Sequence, residues 1–462
     1  MIGGAGTVTG SKHLLRTSRA TVLLECGLFQ GHRREGFVRN RTLGLDVETL
    51  DAVVLSHAHL DHSGALPMLW RHGYRGPIYA TPATRDLCVP LLEDSAQIQA
   101  ADAAHILRLI ERGVDLEPVT PLYDSEDVAA TISLIEGLPY HRRQEIAPGI
   151  ELTFINAGHV LGSAIVVLDI EDAGRTARLA FTGDLGHARL PILPDPEIPK
   201  GITCLISEAT YGNRTHGPIG ETMQKLAATI TRTAARGGKI VIPTFALERA
   251  QEVVFALKQL RRSGAIPPIP VYVDSPLAVK ITDVFRLHPD CISRETFSAL
   301  HGGDSPFDFD GLRYVSDVEE SKGIDLDPAP AIILAGSGMC EGGRVLHHLR
   351  ATIEDERTTV MLVGYQAEHT LGRRLEEHRR EVRIFGVMRP RNADVVSIEG
   401  LSAHADQSEL VAFAESVRAR GSLRQVILVH GEPPALSALA AKLSEFPSVI
   451  VPAAGDRIRV LS

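Results

Sequence analysis

The chain has 462 residues, a formal net charge of −9 at pH 7 and 44% hydrophobic residues. This length accommodates two or three domains with buried cores, and no apolar run is long enough to span a bilayer. The acidic balance argues against a general nucleic-acid-binding protein, which is usually basic. No basic region followed by an apolar stretch stands at the N-terminus, so we expect a cytoplasmic protein with no membrane partner.

The first part of the chain combines short apolar strands with helical runs. The predicted strands are Ala20–Leu24, Asp51–Leu55, Leu152–Ile155, Ala164–Leu168 and Ala177–Phe181. The proline-rich stretch 191–199 follows them and predicts a linker, because proline disfavours both helices and central strands.

From about residue 203 the alternation of strands and helices becomes more regular. Strands are predicted at Cys204–Ile206, Lys239–Pro243, Val271–Val273 and Ile332–Ala335, and helices at Thr222–Ala235 and Arg249–Arg261. Such alternation predicts parallel β/α units with helices on the faces of the sheet, and therefore an α/β fold class.

Five cysteines are widely spaced along the chain and form no C-x-x-C pair: Cys26, Cys88, Cys204, Cys291 and Cys340. An odd number at this spacing disfavours both a disulfide framework and a thiolate zinc site. We expect reduced, buried side chains.

A cluster of metal-binding residue types follows the predicted strand Asp51–Leu55. The segment His57–His62 contains three histidines and Asp61, and a helix-like run follows it. Imidazole nitrogens and carboxylate oxygens are good zinc ligands, so the segment suits one or two zinc ions. A solvated histidine-rich loop is the alternative, which the position between an apolar strand and a helix disfavours.

Four further residues stand just beyond predicted strands, at His159, Asp184, His404 and His430. Functional groups of open α/β sheets gather at this edge, so these residues are candidates to join His57–His62. Taken singly, a histidine such as His159 is more often structural and an aspartate after glycine such as Asp184 usually marks a turn. His404 and His430 each suit a structural role as well as a functional one.

The motifs together resemble those of the metallo-β-lactamase superfamily. Within it they are most similar to the β-CASP RNA-processing nucleases, in particular the short prokaryotic homologues of the polyadenylation specificity factor endonuclease. The resemblance runs from Gly10 to Glu432. It rests on His57–His62, Gly158-His159, Gly183-Asp184, Glu208–Gly212, Asp274–Pro276, Gly336–Met339, Gly364–Gln366, Ser402–His404 and Val429–Gly431.

The resemblance implies a metallo-β-lactamase αββα sandwich with an inserted β-CASP α/β domain. The first part of the sandwich would span residues 1–202 and the insertion 203–385. The remaining segment, 386–462, would complete the sandwich and carry RNA specificity.

The resemblance also implies the roles of individual residues. Two Zn²⁺ per chain would be held by His57, His59 and His159 on one side and by Asp61, His62 and His430 on the other, with Asp184 between them. Asp61, Glu208 and His404 would be catalytic, with Glu208 holding His404 as the general acid. The candidate substrate-binding residues are Ser275, Ser337, Gly338, Arg344 and Arg373. Glu25 stands where the family usually has an aspartate that supports a metal ligand, so the longer side chain would alter that support.

The expected function is a zinc-dependent ribonuclease that hydrolyses RNA phosphodiester bonds from within or from the 5′ end. RNA is the expected partner, because histidine at position 430 is typical of the members that act on RNA. The same resemblance suggests a homodimer. Two alternatives remain open: a hydrolase of a small ester or thioester with the same metal site, and a catalytically silent RNA-binding subunit.

Overall fold

The structure is a computed structural model that describes residues 1–30, 33–188, 190–398 and 400–460. The chain divides into two compact units. The first comprises Met1–Arg189, Pro194–Thr215 and His404–Ser462, and the second comprises Leu190–Leu193 and His216–Ala403. In the described ranges, no helix has both the length and the apolar character needed to cross a membrane.

The strands follow one another along the chain as short segments. They are β1 (His13–Arg16), β2 (Thr21–Leu24), β3 (Ala52–Val54), β4 (Ile78–Ala80), β5 (Ile135–Gly137), β6 (Arg143–Ala147), β7 (Ile150–Asn156), β8 (Ala164–Asp172), β9 (Arg175–Phe181), β10 (Cys204–Glu208), β11 (Ile240–Pro243), β12 (Val271–Asp274), β13 (Leu312–Tyr314), β14 (Ile332–Ala335), β15 (Thr359–Leu362), β16 (Glu381–Ile384), β17 (Val387–Pro390), β18 (Asp394–Ser397), β19 (Gln425–Val429) and β20 (Val449–Ile450).

The helices alternate with these strands. They are α1 (Arg33–Asn40), α2 (Leu60–Ser63), α3 (Leu66–Arg71), α4 (Pro82–Glu111), α5 (Ser125–Ile132), α6 (Ile219–Ala235), α7 (Arg249–Arg262), α8 (Pro276–Leu287), α9 (Arg294–His301), α10 (Val318–Leu326), α11 (Val345–Thr352), α12 (Leu371–Glu376), α13 (Gln407–Ala419) and α14 (Pro433–Lys442).

The first unit is built on two sheets that share a core. One sheet has the order β1-β2-β3-β4-β5 and the other β20-β19-β10-β9-β8-β7-β6. Val22 and Val54 of the first sheet pack in one apolar cluster with Phe154 and Phe181 of the second. This packing follows from the alternation of buried and less buried side chains along β7, which presents one apolar face.

Helices cover the outer faces of both sheets. Leu410 of α13 and Leu436 of α14 pack with Leu205 and Leu428, which lie on the far side of the second sheet. Helix α5 contacts both α3 and α4, and α4 contacts β5 of the first sheet. The unit therefore has the layer order helix, sheet, sheet, helix, and the predicted αββα sandwich is confirmed.

The second unit contains a parallel sheet with the order β13-β12-β14-β11-β15-β18 and the separate antiparallel hairpin β16–β17. Strands β11, β14 and β15 are buried along their whole length, as expected for a parallel sheet with helices on both faces. Strand β18 pairs with β15, so residues 394–397 belong to this sheet although they follow the predicted insertion boundary at 385.

Candidate metal centre

Four candidate ligands converge at the ends of neighbouring strands in the first unit. His57 and His59 follow β3, His159 follows β7 and Asp184 follows β9. The Nδ1 atom of His59 lies 3.2 Å from His57 Nε2 and 3.3 Å from His159 Nε2. Asp184 Oδ2 lies 3.5 Å from His57 Nε2 and 3.6 Å from His159 Nε2. These atoms form one compact set of nitrogen and oxygen ligands.

The spacing of this set fits a tetrahedral zinc ion. Zn–N bonds of 2.0–2.1 Å place the ligand atoms about 3.3 Å apart, close to the separations found here. Burial lowers the pKa of His57 well below its ordinary value and that of His59 to about 4, so both rings are in the neutral form that binds metal. Ser56 Oγ lies 2.9 Å from His57 Nδ1 and leaves Nε2 directed at the set.

A second set of ligand atoms lies beside the first. His62 Nε2 is 3.1 Å from His430 Nε2, and Asp61 Oδ2 is 3.5 Å from His430 Nε2 and 3.8 Å from His62 Nε2. Asp184 Oδ2 lies 3.4 Å from His62 Nε2. One carboxylate oxygen therefore stands within reach of both sets.

The environment of Asp184 supports a cation at this position. The residue is 2% exposed, and its Oδ1 atom makes no hydrogen bond, although His430 Nδ1 lies 3.2 Å away outside hydrogen-bond geometry. Burial raises the pKa of Asp184, but the neighbouring His430 and His62 outweigh it and hold the pKa well below its ordinary value. A buried carboxylate is costly unless it is paired or binds a metal, so the donor set fits zinc.

Backbone geometry next to Asp184 depends on glycine. Gly183 has a φ of +54°, and a Cβ atom added there would lie 2.4 Å from Ser56 Oγ. The Ser56 hydroxyl also contacts His57 Nδ1. Any larger residue at position 183 would therefore disturb both His57 and the adjacent Asp184. The Gly-Asp motif is thus required by close packing as well as by the turn.

Glu25 contacts His62 on the side of the ring opposite the other candidate ligands. Its Oε2 atom lies 2.8 Å from His62 Nδ1, and its Oε1 atom accepts a hydrogen bond of 2.7 Å from Ser56 N–H. Because His62 Nε2 faces the other ligands, its Nδ1 carries the proton and donates it to Glu25. The sequence predicts that Glu25 alters the support of one metal ligand. In the structure Glu25 makes a direct hydrogen bond to His62, so His62 is the candidate ligand concerned.

His430 is held by contacts that sequence reasoning missed. Its backbone N–H donates to Gly4 O at 2.6 Å, and its Nδ1 lies 3.2 Å from Thr210 Oγ1. The residue has a φ of +50°, a left-handed conformation that costs about 1–2 kcal/mol for a residue with a side chain. No local pattern in the sequence links Gly4 to position 430.

Glu208 and His404 lie next to the ligand sets. His404 Nδ1 is 3.3 Å from Glu208 Oε1 and 4.0 Å from Asp184 Oδ2. Glu208 Oε1 also accepts a hydrogen bond of 2.6 Å from Leu185 N–H. Burial lowers the pKa of His404, but the charge of Glu208 outweighs it and the pKa lies above its ordinary value. The pair thus presents a partly exposed imidazole that favours its protonated form.

A further pair connects the loop after Asp184 with the segment of His404. His187 Nδ1 lies 2.7 Å from Glu409 Oε2, and Ala188 N–H donates to Glu409 Oε1 at 3.0 Å. Glu409 also closes the capping box that Asp406 begins at the start of α13. Aspartate followed three residues later by glutamate is a readable capping signal, but it does not predict the contact with His187.

The candidate substrate residues all belong to the second unit. Ser275 caps α8 by accepting from Ala278 N–H, and Ser337 Oγ accepts from Glu341 N–H and Gly342 N–H. Arg344 donates to Asp274 and to the carbonyls of Val315 and Ser316, and Arg373 pairs with Glu376 and Glu377. A Cβ atom at Gly338 would lie 2.8 Å from the Phe245 ring. Each thus has a structural contact in addition to any role with substrate.

Comparison with known proteins gives three family matches along the chain. The metallo-β-lactamase superfamily model matches residues 10–244, the β-CASP domain model residues 250–375, and the model of the Zn-dependent metallo-hydrolase RNA specificity domain residues 388–452. The His and Asp sets described above therefore lie in a chain that matches metal-dependent hydrolase domains.

Curated relatives match nearly the whole chain. Ribonuclease TTHA0252 of Thermus thermophilus is 38% identical over 96% of this chain and 95% of its own length. Transcription termination factor FttA of Methanosarcina mazei is 34% identical over 96% of this chain and 68% of its own length. A crystal structure of a protein of unknown function from Enterococcus faecalis V583 shares the fold with a TM-score of 0.56 at 13% identity, over 99% of this chain and 98% of that one. The chain belongs to the metallo-β-lactamase superfamily and carries the β-CASP and RNA specificity domains of its nuclease branch.

Proposed function

We propose that this protein is a zinc-dependent ribonuclease that hydrolyses RNA phosphodiester bonds with two zinc ions per chain. The position of Asp184 Oδ2, between 3.4 and 3.6 Å from ligand nitrogens of both sets, is the observation that carries the proposal. The RNA specificity domain and the similarity to a protein named as a ribonuclease support RNA as the substrate. In this proposal His57, His59 and His159 would hold one ion and Asp61, His62 and His430 would hold the other, with Asp184 within reach of both.

Bound zinc lowers the pKa of water and offsets the charge that grows on phosphoryl oxygens. Among the chain's own groups, Asp61 is 19% exposed, and its carboxylate can accept a hydrogen bond from the attacking water and orient it. Glu208 holds the Nδ1 proton of His404, which leaves Nε2–H to protonate the leaving oxygen. Glu208 raises the pKa of His404 above its ordinary value and so stabilises the protonated form that donates this proton.

The test separates metal binding from proton transfer. We expect two zinc ions per chain by elemental analysis, and loss of both metal and RNA cleavage in His59→Ala and Asp184→Asn. His404→Ala should keep its zinc yet lose about 10²–10⁴-fold in turnover, the usual contribution of a general acid. His105→Ala, an exposed histidine on α4, is the matched control and should cleave at the wild-type rate.

Labelled RNA and a thioester should be offered side by side to the same preparation. Cleavage of the thioester alone would refute the ribonuclease, and wild-type turnover in His404→Ala would refute the assigned acid.

The proposal also covers the cellular compartment and the oligomeric state. All five cysteines are buried and none forms a disulfide in the described part of the chain, which supports a reducing compartment such as the cytoplasm. By family resemblance we also propose a homodimer, which light scattering of the purified chain would test directly.

A further inference from the structure

A basic surface surrounds the hairpin of the second unit. Residues 373–391 contain seven arginines, no lysine or aspartate and three glutamates, a local charge of +4 in a chain of net charge −9. The segment comprises part of α12 and the whole hairpin β16–β17. A concentration of arginine in an acidic protein is unusual enough to require a physical account.

The hairpin turns one face away from the core, and this face carries Arg383 together with the exposed side chains of Glu381 and Met388. Val382 and Ile384 are buried in the core of the second unit. The alternate position, Arg383, pairs across the strands with Met388, and both are exposed. Successive side chains of a strand point to opposite faces. Because Val382 and Ile384 face the core, Arg383 between them must face away from it.

An exposed aromatic ring lies at the tip of the hairpin. Phe385 is 49% exposed and occupies the two-residue turn with Gly386, where φ is +49° and +78° respectively. The ring centroid of His347 lies 4.8 Å from that of Phe385, and the guanidinium of Arg350 lies 5.5 Å from it. Arg383 donates to Gly386 O at 3.0 Å. Two arginines therefore flank a half-exposed ring.

Part of the local charge is already neutralised. Arg373 and Arg379 pair with glutamates of the same segment, and Arg389 pairs with Glu354. Among the ion pairs of the described residues, none joins Arg350, Arg380 or Arg383 to a carboxylate. The exposed Glu381 lies two positions from Arg383 on the same strand and reduces the field there.

We propose that the hairpin surface, defined as Arg350, Arg380, Arg383 and Phe385, binds single-stranded RNA outside the metal centre. The arginines contact phosphates and a base stacks on Phe385, the combination by which proteins hold single strands without sequence preference. Four strand residues at about 3.3 Å each separate the base of the hairpin from its tip, so the surface spans only a few nucleotides. The proposal rests on the proposed function, because it takes the substrate class from there.

The test compares hairpin variants with matched controls. Phe385→Ala and the double variant Arg350→Ala/Arg383→Ala are compared with Leu326→Ala and Arg286→Ala/Arg313→Ala, which remove exposed groups elsewhere on the same unit. Binding of a long, unstructured, labelled RNA is measured by fluorescence anisotropy in a His404→Ala background, in which cleavage should be about 10²–10⁴-fold slower. Melting temperatures establish that each variant is folded.

We expect Phe385→Ala to weaken binding about tenfold, within the range for loss of one stacked base. The double arginine variant should lower the slope of log K against log salt by about 1.4, at about 0.7 for each phosphate that an arginine no longer neutralises. With His404 intact, KM for the long RNA should rise in both variants while kcat and the cleavage of a trinucleotide stay at wild-type values.

Equal loss of affinity in the control variants, or wild-type affinity in the hairpin variants, would overturn the inference. A change in oligomeric state without a change in RNA affinity would also overturn it, because the surface would then bind a second copy. If the wild-type chain cleaves RNA but the hairpin variants bind RNA with wild-type affinity, the proposed RNA-binding surface is refuted and the proposed ribonuclease function stands. If the wild-type chain cleaves no RNA at all, the proposed function itself fails.

Discussion

The most direct test of the metal centre is the substitution Glu25→Gln. The two carboxylate oxygens of Glu25 accept hydrogen bonds from Ser56 N–H at 2.7 Å and from His62 Nδ1 at 2.8 Å. Glutamine has the same shape but only one accepting oxygen, so its NH₂ group must face one of the two donors. The substitution therefore removes one buried hydrogen bond and leaves a donor unsatisfied.

The size of the effect follows from this geometry. An unsatisfied buried donor costs about 1–3 kcal/mol. If the missing bond is the one to His62, the imidazole is no longer held in its ligand tautomer, and loss of such support usually weakens metal binding about 10–100-fold. We expect weaker binding by this factor of the zinc ion proposed at Asp61, His62 and His430, because Glu25 bonds His62 directly.

The assay is a zinc competition titration against a fluorescent chelator, with thermal unfolding of the metal-free protein to measure the cost to the fold. Glu136→Gln, an exposed glutamate of β5 in the same unit, removes the same charge without touching a ligand. Two zinc affinities that both match those of the wild type in a folded Glu25→Gln protein would refute the role assigned to Glu25.

Three further predictions concern stability and positioning. Ala173 has a φ of +50° in the tight turn of the β8–β9 hairpin, so Ala173→Asn should raise the free energy of unfolding by about 1 kcal/mol in urea titrations, whereas Gly174→Ala should lower it. His348 is buried between two aspartates that outweigh its burial and raise its pKa above the ordinary 6.5, so its stabilisation is complete below that pH and is lost as pH rises through the folded-state pKa. The melting-temperature difference between wild type and His348→Gln should accordingly be larger at about pH 6 than at about pH 9, and an equal difference at both would contradict this. His187→Ala should lower kcat for RNA about tenfold with zinc content and KM unchanged, because it frees the segment that carries the general acid, and unchanged turnover would show that His187 positions nothing.

The elements of this protein are largely encoded in local sequence pattern. The apolar run at Lys239–Pro243 predicts a buried parallel strand and is observed as β11, and the helix predicted at Arg249–Arg261 is observed within one residue as α7. The segment His57–His62 identifies ligands because they stand close together in the chain, so a strand end and a short helix bring them to one place. The pattern of apolar residues and the spacing of nearby residues are both visible in the sequence, so the elements and ligands that depend on them can be predicted from it.

The tertiary structure decided what depends on distant pairing. The approach of His430 to His62 spans 368 residues, and it is set by the register in which β19 pairs with β10. The place of β18 in the second sheet and the support of His62 by Glu25 likewise follow from strand order and sheet packing. Such contacts depend on which elements pack together, and the same local pattern is compatible with many packings, so only the folded chain selects among them.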